Sequence, residues 1–530
     1  MNYNKSGTTV PSLNRILSPA IILLSLLMGC KVFYLAFFVT PLWHIPDETG
    51  HLSYVIQIAS GGGVPVLGDA IMSPEITSYL QSKNVYTKFS LKRLNWIAQH
   101  PPLYYFLAAI PYWVVQQFTT DVEILFRVPR IISVFSAVLL LLVIYRTARL
   151  TGLSEKAALC LAGCVGWIPM VSNLSSGTNH DVTLFLFSAL TFHYLTRFVL
   201  YHQNRDAYVA AIWLSLAGAI KMTAWVLLPP FAMIIALELR GTYRPWLIHL
   251  SGITTLAFSL PAAWMLRNFF VYGNAFQTAV SSRSLSIEPL QTSIFSFLAS
   301  FNVIEGFLLH FYGLFGWAHY ALKALKGLPL VAFTLLLIVF SLVLLLHFTK
   351  ITIYHKITGQ AVQPRFAETF IGNNFLSILF LRCRRILSFV LIVIVFFILT
   401  YFSMKGGLGM NIRLVAISVI VALGAGAIIL VLCDYEDKNR LFYYGLLVFF
   451  FFSFIIFFQI YEIYLKLGQL RAIHGRYFYP VLPWLLASVS LAFAHLVWGQ
   501  RLLILLFIIL IIAETDAYIN QVLQFFARGQ

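Results

Sequence analysis

The chain reads as an all-α, polytopic transmembrane helix bundle, and three observations predict it. Hydrophobic residues make up 60% of the 530 residues and charged residues only 10%, with a mean hydropathy of +0.84. A soluble chain of this length needs far more polar surface. Apolar runs recur at lengths close to the roughly 20 residues that cross a bilayer as a helix. The runs are continuous and not alternating, which argues against a transmembrane barrel. Lipid leaves the backbone no third way to satisfy its hydrogen bonds.

Lys5 and Arg15 place the amino terminus inside by the positive-inside rule. The first span, near 16–39, contains Leu27-Met28-Gly29-Cys30, which is like a lipoprotein cleavage box. The apolar run continues past Lys31 to Val39, so an uncleaved signal anchor is expected. A first external loop, 40–127, follows. In it Leu52, Val55, Ile56 and Ala59 recur at helical spacing and predict a surface helix over about 47–60, stopped by Gly61-Gly62-Gly63. Residues 64–99 read as polar loop. The run at 101–118 is rich in Tyr and Trp and is expected to lie along the interface. If it crossed, Arg146, Arg149 and Lys156 would face outward, against the charge rule.

Spans near 128–145 and 157–174 then deliver Asn179-His180-Asp181 outside. The chain then returns inside at Arg197 and Arg205, and two short spans flank an external Lys221. A span near 246–264 leads to Arg267-Asn268 and a second external loop, 265–327, which carries Tyr312-Gly313-Leu314-Phe315-Gly316-Trp317. A span near 328–347 returns to a basic cytoplasmic segment, 348–385, with Lys350, Lys356, Arg382, Arg384 and Arg385. Later spans near 386–402, 413–433, 441–463, 479–498 and 501–519 bring the total to about 13. The whole chain, 1–530, reads as one integral-membrane domain without internal repeats. Its formal net charge of +17 is assigned to cytoplasmic loops meeting anionic lipid, and no nucleic-acid partner is expected. The five cysteines lie in or beside apolar runs and read as small buried hydrophobes.

By this topology Asp47, Glu48, His51, His100, Asp181, Lys221, Arg267, Trp317, His474, Arg476 and Tyr477 share the outer side. Adjacent carboxylates beside a span are costly to desolvate and point to chemistry or a partner. On a helix, Asp47 and Glu48 project about 100° apart, so one of them faces a given pocket. Such a carboxylate suits a general base acting on an acceptor hydroxyl or amine. A helix-dipole role for the pair is the plainer alternative. His44, Asp47, Glu48 and His51, with His100, His180 and Asp181, also form a His/carboxylate set, so a divalent metal is a rival use, although the spacing is not that of a metalloprotease helix. Arg267 and Arg476 suit phosphate, through bidentate guanidinium contacts. Lys221 lies between two apolar runs, where a phosphate would offset the cost of its charge. Tyr104, Tyr105, Tyr312, Trp317, Tyr477 and Tyr479 suit sugar stacking, a lipid groove or an aromatic belt.

Taken together, these residues resemble the GT-C superfamily of integral-membrane glycosyltransferases, in the branch of lipid-A aminoarabinose transferases and protein O-mannosyltransferases. The likeness rests on Asp47-Glu48 after the first span, Pro101-Pro102-Leu103 opening the next helix, Asp181, and Lys221 in Gly218-Ala219-Ile220-Lys221. The phrases Pro46-Asp47-Glu48…His51, Tyr312 to Trp317 and Gly475-Arg476-Tyr477-Phe478-Tyr479-Pro480 are still more similar to the bacterial membrane family called domain of unknown function 2142. That family often has Gln where this chain has His474.

The resemblance implies a polyprenyl-phosphate sugar donor, a glycan, lipid or protein acceptor, inversion at the anomeric carbon, and no metal or other cofactor. It implies Asp47 as catalytic base, Glu48 and Asp181 beside the acceptor, and Lys221, Arg267 and Arg476 on the donor phosphate. His51, His100, Tyr104, Trp317, His474 and Tyr477 complete the expected substrate site. The implied location is a bacterial inner membrane with the site on the periplasmic or extracellular side. Two other classes stay open: an O-antigen ligase or polymerase using a pyrophosphate-linked glycan, and a transporter of lipid-linked glycans, which would more often show repeat symmetry.

Overall fold

The computed structural model describes residues 18–83, 94–240, 242–278, 437–467, 474–486 and 497–524, together with 297, 310, 311, 313–315, 320 and 321. The expected spans near 328–347, 386–402 and 413–433, the basic segment 348–385, and Trp317 lie outside the described residues.

Those residues are almost wholly helical. The first helix, α1 (Pro19–Tyr34), starts on a proline, whose missing N–H costs nothing in a first turn. It runs on through a wider turn, Leu35–Val39. Then come α2 (Glu48–Ala59), α3 (Pro74–Ser82), α4 (Leu103–Val115), α5 (Val122–Arg127) and α6 (Arg130–Leu150). They are followed by α7 (Glu155–Gly166), α8 (Pro169–Ser175), α9 (Asp181–Tyr201), α10 (Asn204–Gly218), α11 (Leu228–Glu238) and α12 (Tyr243–Tyr272). Near the carboxyl end lie α13 (Asp437–Leu467) and α14 (Val497–Ala517). One small antiparallel pair, Leu314–Phe315 with Tyr320–Ala321, departs from the all-helical expectation.

Among the described residues, five stretches are long and apolar enough to cross a bilayer: Pro19–Val39, Val122–Leu150, Asp181–Tyr201, Tyr243–Tyr272 and Leu447–Leu465. A sixth is broken, since α7 and α8 meet at a 64° bend. Pro169 explains the break, because it removes a helical donor just where the chain turns. Lys31 stitches it: its ammonium donates to Gly166 O and Ser172 Oγ, each at 3.0 Å, and pairs with Glu514 of α14 at 2.8 Å. An ammonium is well placed at the carbonyl end of α7.

Helix α9 packs between α6 and α10, α10 against α12, α1 against α6, and α7 against α14. These contacts bring the end of α1, the start of α9 and the end of α10 to one end of the bundle. There α2 and α4 pack together. The expected surface helix is not at the surface: every residue of α2 from Glu48 to Ile56 is buried. The reason is that α4 and the Trp96–Gln99 turn cover its outer face. Segment 64–99 is also more ordered than a polar loop, because Pro74 opens α3 and Ile76, Thr77 and Leu80 form its buried face. Helix α4 has 13 residues and rises about 20 Å, short of a bilayer core. It buries Tyr104, Tyr105, Ala108, Ala109 and Tyr112 and exposes Phe106, Ile110 and Trp113.

Candidate active site

Asp47 is the N-cap of α2 and adopts a left-handed conformation, φ 62°. Aspartate enters that region more readily than most residues, yet the conformation still carries strain. Its carboxylate accepts a hydrogen bond from Trp96 Nε1 at 3.1 Å and lies 3.7 Å from the Arg476 guanidinium. The side chain keeps 33% of its surface exposed.

Glu48 is its opposite, 1% exposed and fully engaged. It forms a two-pronged pair with Arg130 of α6, Nε to Oε1 at 2.8 Å and Nη2 to Oε2 at 2.9 Å. It also accepts from the backbone N–H groups of Trp43 at 2.9 Å and Thr178 at 3.0 Å. Arg130 in turn donates to the carbonyls of Ala36, Thr40 and Pro41. The pair therefore ties together the end of α1, the start of α2, α6 and the 176–180 loop. Gly177 permits that closeness, since a Cβ there would stand 2.3 Å from Ile45. Gly50 does the same for the Trp96 turn, where a Cβ would meet Ile97 at 2.6 Å. Arg130 and Trp96 are absent from the residues singled out by sequence. The available signal was the cost of an arginine at the head of an apolar run, which demands a partner.

Asp181 begins α9, Lys221 follows α10 in extended conformation, and Arg476 lies on the single turn Gly475–Phe478. They meet. Lys221 Nζ is 2.6 Å from Asp181 Oδ1, and Arg476 Nε is 3.4 Å from Asp181 Oδ2. Phe478 and Tyr479 anchor the turn on either side, Phe478 against Phe452 and Tyr479 stacked on Phe185. Lys221 also lies 4.7 Å over the Tyr477 ring. The start of α4 is fixed nearby, because Leu103 N donates to Ala219 O. Burial pulls the Lys221 ammonium below its usual range, against the pull of Asp181. Burial acts the same way on Arg476, but Asp181, Tyr477 and Asp47 overcome it and raise the guanidinium. Arg476 Nε is buried and faces the Asp181 carboxylate without an aligned hydrogen bond.

His51, His100 and His180 gather beside Asp181, with ring centroids 4.6 Å apart for His51–His180 and 4.7 Å for His100–His180. Tyr104 Oη shares a hydrogen bond with Ser133 Oγ at 3.3 Å. His474 lies 5.1 Å from the Tyr477 ring and 4.4 Å from that of His310. Burial, then the Arg476 charge, holds His474 well below the usual imidazole range. Arg267 goes elsewhere. It donates to Pro65 O at 2.9 Å and Tyr272 Oη at 3.0 Å, clamping the 65–67 segment to α12. Among the described residues, no three His, Cys, Asp or Glu side chains are arranged to hold a metal. Glu48 of the expected His/carboxylate set is committed to Arg130.

Residues 99–265 match the family model described as dolichyl-phosphate-mannose-protein mannosyltransferase. The matched segment spans about a third of the chain. The segment includes Arg130, Asp181 and Lys221, whereas Asp47 and Arg476 lie outside it. Among solved structures, the S. cerevisiae protein O-mannosyltransferase complex bound to the sugar donor is similar at 13% identity and a TM-score of 0.34, over 49% of this chain and 35% of that one. The Archaeoglobus fulgidus oligosaccharyltransferase in complex with Zn and sulfate is similar at 12% identity and 0.42, over 96% and 52%. ArnT from Cupriavidus metallidurans bound to undecaprenyl phosphate is similar at 14% identity and 0.33, over 89% and 76%. The chain thus spans about a third to a half of the length of the first two. No curated protein matches it.

Proposed function

We propose that this protein transfers a sugar from a polyprenyl-phosphate donor to a glycan, lipid or protein acceptor at the extracytoplasmic face of the membrane. The observation that carries the reading is one partly exposed carboxylate, Asp47, next to two buried cations, Lys221 and Arg476. Asp47 removes the proton of the acceptor hydroxyl. The acceptor oxygen bonds to the anomeric carbon from the face opposite the phosphate, inverting it, and the carbon–oxygen bond to phosphate breaks with its electron pair on the phosphate. Lys221 and Arg476 stabilise that developing charge. Asp181 holds the two cations in place before the donor arrives. Glu48 serves through its ion pair, positioning Asp47 at the head of α2. Arg267 acts through the 65–67 segment. The family description of residues 99–265, which names dolichyl-phosphate-mannose, supports the donor class.

The test is mass spectrometry of cell-envelope glycans in a deletion strain carrying wild-type protein or Asp47→Asn. One sugar is expected to disappear in the deletion and return only with wild type. Full rescue by Asp47→Asn would remove Asp47 as base, and accumulation of lipid-linked precursors rescued by that variant would favour transport.

A further inference from the structure

Beside Asp181 the structure holds a file of hydrogen bonds that the transfer step leaves unused. His51 Nδ1 lies 2.9 Å from Tyr105 Oη, and the same oxygen lies 3.1 Å from His180 Nδ1. His180 Nε2 lies 3.3 Å from Asp181 Oδ1. All four side chains are buried. Tyr105 is further locked by stacking on Tyr54, with centroids 3.8 Å apart.

The direction of each bond follows by elimination. Asp181, paired with Lys221 and Arg476, is ionised and can only accept, so His180 Nε2 carries a proton. Burial, then the Lys221 charge, brings His180 down to about 4, so at neutral pH its ring holds one proton. Its Nδ1 must therefore accept from the Tyr105 hydroxyl. That hydroxyl has a single proton, so its oxygen accepts from Nδ1–H of His51. Burial, then His180 and His100, holds His51 well below its ordinary range, leaving it neutral with Nε2 unprotonated. Every bond in the file points from His51 toward Asp181. The titratable and charged groups facing it are His100, Tyr54, Tyr104, Lys221, Arg476 and Asp47.

We propose that His51, Tyr105 and His180 form a proton relay that carries the acceptor's proton to the departing lipid phosphate. The proposal rests on the glycosyl-transfer reading. The proton taken by Asp47 passes to Nε2 of His51, one helical turn along α2. His51 gives its Nδ1 proton to the Tyr105 oxygen, Tyr105 gives its hydroxyl proton to His180 Nδ1, and His180 gives its Nε2 proton to Asp181. Asp181 protonates the phosphate oxygen freed when the bond to the anomeric carbon breaks. One proton moves from acceptor to phosphate. A phosphodiester monoanion becomes a phosphomonoester monoanion, so no net charge accumulates where an uncompensated ion costs several kcal/mol. Passage leaves both imidazoles in the opposite tautomer, and exchange with solvent resets them.

The first test reads the tautomers by nitrogen-15 NMR of the histidine-labelled full chain in lipid nanodiscs. Signals are assigned by their loss in His51→Gln and His180→Gln. At pH 7 His51 is expected to carry its proton on Nδ1 and His180 on Nε2. A His51 proton on Nε2 overturns the relay. The second test uses the deletion strain: Tyr105→Phe, which keeps the stacked ring, is expected to form product roughly 100-fold more slowly, in line with loss of positioned proton transfer. Wild-type product formation by Tyr105→Phe overturns the relay and leaves the transfer reading intact. Glycans unchanged by the deletion itself would instead sink the transfer reading, and the relay's role with it.

Discussion

Asp47 and Glu48 are neighbours in sequence with opposite surroundings. Glu48 is sealed in, its oxygens filled by Arg130 and two backbone donors. Asp47 has one indole donor, a distant guanidinium and open surface. A carboxylate that accepts four short hydrogen bonds has little capacity left for a substrate proton. One that is loosely held beside a cation does. The difference teaches that a paired motif divides its work: one acid builds the corner of the fold, and the other is presented by it.

The sharpest way to break this comparison is Asp47→Asn. Transfer is expected to fall roughly 100- to 10,000-fold, the range for loss of a general base, with the thermal midpoint unchanged. Arg130→Met makes the reverse prediction. Stranding the buried Glu48 is expected to cost ~3–5 kcal/mol, read as a large drop in thermal midpoint in detergent. Adding Glu48→Leu to Arg130→Met is expected to recover much of that stability without restoring transfer.

A third prediction concerns pH. The His180 imidazole is held at about 4 by burial and Lys221, against 6.5 when unfolded. Between those values the unfolded chain binds more protons, so stability is full above about pH 6.5 and falls as pH drops toward 4. The loss from this group is about 3 kcal/mol, and His180→Gln is expected to flatten that part of the curve of thermal midpoint against pH. Arg476→Lys is expected to have the smallest effect, raising the donor concentration needed for half-maximal rate roughly tenfold by removing bidentate contact.

The clustering of Asp47, Asp181, Lys221 and Arg476 was legible because charge near an apolar run is expensive, and a topology drawn mainly from loop charge put all four on one side. The helical character was legible from run length. Arg130 was not, because it lies at the head of a run and reads as its boundary. Its partner Glu48 is 82 residues away, and no periodicity links them. Tyr105 was masked by its own helix, where several aromatics make an interfacial belt the simpler reading. Arg267 shows the converse limit. Sidedness grouped it with Arg476, whereas local contacts to Pro65 and Tyr272 hold it apart.

The Lys31–Glu514 pair has a consequence for how the protein is made. The two residues are 483 positions apart, in the first and last described helices. Synthesis proceeds from the amino terminus, so Lys31 enters the membrane long before its counter-charge exists. The ammonium that stitches the kink between α7 and α8 gains its counter-charge only when α14 arrives. The 176–180 loop leads directly from α8 to Asp181, so the kink and the site are joined by five residues. Chains halted before α14 would therefore lack that counter-charge while already carrying every residue of the site.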